Sequence, residues 1–185
     1  MEVSQALLVA MMFVTVLSLG IGNILTGLST FVDRRTEADR HWLQMNWLLL
    51  LLLQHLNLFW NTLLIISVQA WTFAEFLYVV TGPVLLFFAT SLMLPKSERV
   101  GTDDVSSHYF NVARRFFTLL AVLMVWSIGV DVVLGEGLTA NNGWDAVGLV
   151  LFVMLASLQQ RRLHTVATGV AWAIFLSLTL FKALA

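Results

Sequence analysis

Long apolar runs divide this 185-residue sequence, and most of its charges fall in the short breaks between them. An α-helix needs about 20 mostly apolar residues to cross the hydrocarbon core of a bilayer. Six runs meet or approach that length, at about 6–32, 41–68, 70–95, 108–134, 143–160 and 164–184. The breaks carry turn chemistry: "DRRTEADR" at 33–40, "PKSERVGTDDVSS" at 95–107, "GEGLTANNG" at 135–143 and "QQRRLH" at 159–164. The second and third runs are divided only near Gln69, on the ground that 55 residues are too many for one crossing. The fold class expected is all-α: a single domain of six transmembrane helices arranged as three antiparallel hairpins.

Composition agrees. Hydrophobic residues make up 59% and charged residues 11%, with a mean hydropathy of +0.86. A soluble domain carries about 25% charged residues, so charge has been cut by half. A net charge of −1 leaves no dense basic face for nucleic acid. The absence of cysteine excludes disulfides, thiolate nucleophiles and Cys-ligated metals. The stretch "MEVSQALLVAMMFVTVLSLGIG" lacks a basic n-region, and its apolar run is long for a cleavable signal. It reads as a retained first span.

Basic residues test the count of spans. Arg34, Arg35, Arg40, Lys96, Arg99, Arg114, Arg115, Arg161 and Arg162 all fall on one side of a six-span chain, and only Lys182 falls on the other. Because Lys and Arg accumulate in cytoplasmic loops, both termini are expected in the periplasm. Glu2, Glu75, Asp131, Glu136 and Asp145 then lie at or near the outer side. Either acids remain where basic residues are excluded, or they form a mouth that concentrates cations. Glu75 and Asp131 sit a turn inside their spans, where an ionised group is costly.

Two stripes of small residues at four-residue spacing, Ser18–Gly22–Thr26 and Gly169–Ala173–Ser177, suit close helix contact in lipid, within the chain or with a second copy. In "TGPVLLFF", Pro83 removes a backbone donor and predicts a kink that Gly82 loosens. Thr81 is placed to satisfy a freed carbonyl. The kink is either a gating hinge or a bent helix.

The polar content of the second span is its most unusual feature. "WLLLLLLQHLNLFWN" runs from leucines into amides and an imidazole. At about 100° per residue, with Gln54 at zero, Asn61 falls near −20°, Asn57 near −60°, Asn46 near −80°, Gln44 and Thr62 near +80° and His55 near +100°. Leu49, Leu52, Leu56, Phe59 and Leu63 occupy the opposite half. The polar arc must face the bundle interior or a water-filled cavity. It either hydrogen-bonds between helices and fixes their register, or lines a path for water, protons or a small polar solute. His55 alone can change charge near neutral pH.

His41, His108 and His164 open the second, fourth and sixth spans at similar depth. Such a trio offers donors to zinc or, as a pair, to haem iron, but no HxxxH or ExxH spacing supports it. Imidazole at a membrane interface is the plainer explanation. The sequence holds no GxSxG, HExxH, phosphate-cradling or dinucleotide motif and no mid-span lysine, and no cofactor is expected.

Three stretches, "RHWLQMNWLLLLLLQHLNLFW", "FLYVVTGPVLLFFATSLMLP" and "HYFNVARRFF", resemble in order and spacing a family of small uncharacterised bacterial polytopic integral membrane proteins. The resemblance covers roughly residues 5–165. It implies a bacterial inner membrane and carries no established activity or site residues. Two functions are left open. One is a small channel or carrier for protons, cations or a polar solute, using Gln54, Asn57, Asn61 and Asn46 with His55 as a protonation switch. Glu75 and Asp131 would recruit cations, and a homo-oligomer would enlarge the pore. The other is a non-conducting sensor or accessory subunit that packs against a partner. An enzyme is disfavoured by the lack of a nucleophile–base pair.

Overall fold

In the computed structural model the described residues are 5–33, 38–68, 70–94, 105–134, 137 and 141–184, with side chains described at 5–29, 42–68, 70–94, 109–134, 137 and 142–177. Among them every regular element is a helix: α1 (Gln5–Asp33), α2 (Ala38–Trp60), α3 (Thr62–Ser67), α4 (Phe73–Met93), α5 (Val105–Val133), α6 (Asn141–Ser157) and α7 (Arg161–Leu184). Four stretches are long and apolar enough to cross a membrane: Gln5–Ser29, Trp42–Ser67, Phe73–Met93 and Tyr109–Val133. Asn142–Ser157 is a shorter apolar helix.

The second expected span is interrupted. α2 ends at Trp60 and α3 begins at Thr62, with Asn61 between them at φ −70° and ψ −5°. The Leu64 amide donates to the Asn61 carbonyl at 3.0 Å, an i→i+3 bond that tightens the turn as in a 3₁₀ segment. α3 ends at Val68, which is extended. Thr72 then starts α4 through a capping box: its amide donates to Glu75 Oε2 at 2.7 Å and its hydroxyl accepts from the Glu75 amide at 3.3 Å.

α1, α4, α5 and α6 pack in that order, with α2 against α1, α4, α5 and α7. The most extensive contact joins α5 to α6, whereas α6 and α7, the expected third hairpin, touch little. The buried centre is aromatic toward the α2 N-terminus. Trp47 meets Phe117, Phe116 and Phe152 edge-on, with centroids 4.9, 5.8 and 6.1 Å away, and so joins α2, α5 and α6. The outer surface is apolar on every long helix, including Leu25, Leu56, Phe88, Val125, Val150 and Val166. A soluble protein hides such a continuous belt; lipid accepts it. Exposed hydroxyls among the described residues of the belt bond their own helices, as Thr15 does to Met11 O (2.7 Å) and Ser18 to Val14 O (2.8 Å), which satisfies them in hydrocarbon.

The small-residue stripes face outward, against the intramolecular reading. Ser18, Gly22, Thr26, Gly169 and Ala173 are exposed, and a Cβ added at Gly22 or Gly169 would meet nothing within 4 Å. Gly20 and Gly27, on the far side of α1, admit the neighbours instead: His55 of α2 and Leu94 beyond α4. The pattern gives spacing but not occupancy, because a lipid-facing and a core-facing stripe are equally apolar.

Candidate functional site

The polar residues of α2 and of the turn into α3 divide between two walls. Gln44, His55 and Thr62 are buried, and Asn46, Gln54, Asn57 and Asn61 are half-buried. His55 is fully enclosed and turned toward α1, where a Cβ on Gly20 would stand 2.1 Å from His55 Nε2. Its Nδ1 lies 2.8 Å from the Leu51 carbonyl. A carbonyl only accepts, so Nδ1 carries the proton and Nε2 is left as a bare acceptor. Among the described residues Nε2 has no hydrogen-bond partner.

Asn46 looks the other way, toward α7. Its Nδ2 donates to the Trp42 carbonyl at 2.8 Å, and its Oδ1 accepts from Trp172 Nε1 at 3.0 Å. Gln54, Asn57 and Asn61 lie within about 80° of Asn46 around an ideal helix. Their side chains make no hydrogen bond among the described residues. His55 is about 160° from Asn57. The structure sets Asn46 against α7 and His55 against α1, while helical geometry puts Gln54, Asn57 and Asn61 nearer the Asn46 edge. Gln44 leaves the arc as well, donating through Nε2 to the Met93 carbonyl at the end of α4.

Gly82 and Pro83 are buried inside an uninterrupted α4. Thr81, expected to satisfy a carbonyl freed by Pro83, instead donates to Leu77 O at 2.8 Å, its own i−4 partner. Gly82 lies beneath the Trp126 ring of α5, and Gly129 of α5 lies beneath the Tyr78 hydroxyl of α4. Trp126 Nε1 donates to the Tyr78 carbonyl at 2.7 Å, and Tyr78 Oη donates to the Trp126 carbonyl at 3.2 Å. Each helix thus seats an aromatic ring on the other's glycine and hydrogen-bonds the other's backbone. Nothing in the sequence announces this clasp, whose partners are 48 residues apart; the residue types are present, but only the approach of α4 to α5 pairs them.

The two outer acids have local partners. Glu75 closes the capping box described above, a role legible in the spacing of "TFAE". Asp131 Oδ2 accepts from Asn142 Nδ2 at 2.7 Å, tying the end of α5 to the start of α6.

Of the histidine trio, the side chains of His41 and His108 lie outside the described residues, as do Glu2, Glu136 and the side chains of Arg34, Arg35, Arg40, Lys96, Arg99 and Lys182. His164 is fully buried and both its nitrogens are engaged. Nε2 donates to the Leu158 carbonyl at 2.9 Å, and Nδ1 accepts from Tyr109 Oη at 2.9 Å. Phe117, Phe110 and Tyr109 surround it edge-on at 5.3, 5.4 and 5.6 Å. With no free lone pair, this imidazole fits the role of a fastening between α5 and α7. Among the described residues no cluster of three His, Asp or Glu is placed to hold a metal. No protein family, curated protein or solved structure matches this chain.

Proposed function

We propose that the chain is a six-span protein of a bacterial inner membrane, with both termini in the periplasm, and that it passes protons, cations or a small polar solute along the α2–α7 seam. The membership suggested by the three resembling stretches belongs to the same proposal. The observation that carries it is the trio Gln54, Asn57 and Asn61: half-buried carboxamides at membrane depth without a hydrogen bond among the described residues. An unpartnered amide in hydrocarbon costs several kcal/mol, and a hydrated seam removes that cost. Residues 54, 57 and 61 rise about 10 Å along α2, so a solute moves between them by exchanging one carboxamide for the next. Asn46, already held by Trp172, marks the inner end.

His55 enters as a switch on helix contact rather than as a step of the path. A second proton on Nε2 would face Gly20 with no acceptor, so protonation favours a looser α1–α2 contact. Glu75 and Asp131 supply negative charge at the opposite end. The outward stripes at Ser18–Gly22–Thr26 and Gly169–Ala173 favour a second reading, in which another helix, from a copy of the chain or a partner subunit, completes the structure and nothing is conducted.

Reconstitution into liposomes separates the two. Flux of protons, potassium or a small neutral solute that falls at least about ten-fold in Gln54→Leu and Asn57→Leu, with both variants folded, supports the seam. Absence of flux in the wild type, or flux unchanged in both variants, refutes it; a partner recovered in fixed stoichiometry would then favour the accessory role.

A further inference from the structure

We infer that the groove between α5 and α6 binds the phosphate of an anionic phospholipid through Arg114. The groove has a volume of about 460 Å³ and is lined by Arg114, Thr118, Ala121, Val153, Ala156, Ser157 and Gln159, within the range of sites for small ligands. It is graded along its length. Arg114, in the N-terminal half of α5, stands beside Ser157 and Gln159 at the end of α6, while Ala121 lies about 10 Å deeper than Arg114 and Val153 about 6 Å deeper than Ser157. The small side chains of Ala121 and Ala156 leave the deeper part open, and Val153 is half-exposed on its rim. A charged mouth over an apolar channel matches a lipid headgroup over its acyl chain.

Charge selects the headgroup. Among the described side chains, the charged ones at this end are Arg114, Arg115, Arg161 and Arg162, and those at the other end are Glu75, Asp131 and Asp145. Arg114 is exposed and has no ion pair among the described residues. It sits five residues inside the apolar stretch that begins at Tyr109, deep enough for its guanidinium to reach up to a phosphate while its stem covers the groove wall. Basic recesses between transmembrane helices recruit anionic headgroups in this way, and a guanidinium offers paired donors to phosphate oxygens.

Native mass spectrometry of the delipidated full chain in detergent tests the inference, with phosphatidylglycerol, phosphatidylcholine and inorganic phosphate as probes. The wild type is expected to bind phosphatidylglycerol about five-fold or more tighter than phosphatidylcholine, the factor one well-placed arginine supplies. Arg114→Gln removes the preference, and Arg115→Gln, outside the groove, keeps it. Val153→Trp, a change at an exposed position, narrows the apolar half and weakens both lipids. Equal affinity for the two lipids overturns the inference. So does equal loss in the two arginine variants, which would mean diffuse attraction, or displacement by millimolar phosphate, which would mean a free-anion site. The inference rests on the chain lying in a bilayer; a wild type that leaves membranes on carbonate washing would refute that premise separately.

Discussion

Replacing Gly82 by Ala tests the α4–α5 clasp. Elsewhere in a helix this change is favourable by about 0.5–1 kcal/mol, because Gly loses more backbone freedom on folding. At position 82 the new Cβ would stand 2.2 Å from Cζ2, 2.3 Å from Cη2 and 2.5 Å from Cε2 of Trp126. All three atoms belong to a rigid, buried ring held by its 2.7 Å bond to the Tyr78 carbonyl. The ring must retreat by about an ångström to reach ordinary contact distance. Overpacking of this kind costs about 1–3 kcal/mol, and the strained or lost hydrogen bond adds about 0.5–1.5 kcal/mol. Sterics outweigh propensity, and the net expectation is a loss of about 0.5–4 kcal/mol. Gly22→Ala is the matched control, since its Cβ meets nothing within 4 Å and it keeps the full propensity gain. Stability is read by SDS titration in mixed micelles with tryptophan fluorescence. In a Trp126→Phe background, which shortens the ring and removes the donor, the cost of Gly82→Ala should shrink by at least about 1 kcal/mol, the size of coupling expected between touching residues. A Gly82→Ala protein as stable as Gly22→Ala, or a cycle with no coupling, would show that the two helices do not meet at these residues.

Two further substitutions bear on the histidines. His55→Leu should cost less than about 1.5 kcal/mol, because it keeps volume and removes a nitrogen with no partner, whereas His55→Ala leaves a cavity and should cost about 2–4 kcal/mol. The same SDS titration measures both, and a His55→Leu protein that is stable but no longer gated by pH in the liposome assay would assign the imidazole to function. Tyr109→Phe withdraws the hydroxyl that donates to His164 Nδ1 and should cost about 1–3 kcal/mol; an unchanged unfolding midpoint would mean that the nitrogen finds another donor.

Helix content was legible because the hydropathy runs are long. Expected limits of 6–32 and 108–134 compare with α1 at Gln5–Asp33 and α5 at Val105–Val133. The interruption at Asn61 was not legible. A single asparagine between Trp60 and Thr62 carries no Gly or Pro signal, and the stop is made by the i→i+3 bond from Leu64. Helix neighbours were least legible. In water, a stripe of small apolar residues on a helix marks the buried side, since the other side must be polar. In lipid both sides are apolar, so Gly20 and Gly22, about 200° apart, carry equal weight in the sequence. The structure places Gly20 against His55 and Gly22 in the open.

The polar arc of the second span is ambiguous in the same way. Seven polar residues within one half of a helix look like one surface, yet a half-circle is wide enough to meet two neighbours. α1 takes the edge that bears His55, and α7 takes the edge that bears Asn46. Grouping by angle alone joined a titratable ring to amides it does not face. A conduit along Gln54, Asn57 and Asn61 therefore needs no proton on His55, and a protonation effect at His55 must reach the seam through movement of α2 itself. The helix break at Asn61, beyond which α3 packs on α1, is where such a movement would pivot, so loosening at Gly20 would tilt the segment that carries Gln54 and Asn57.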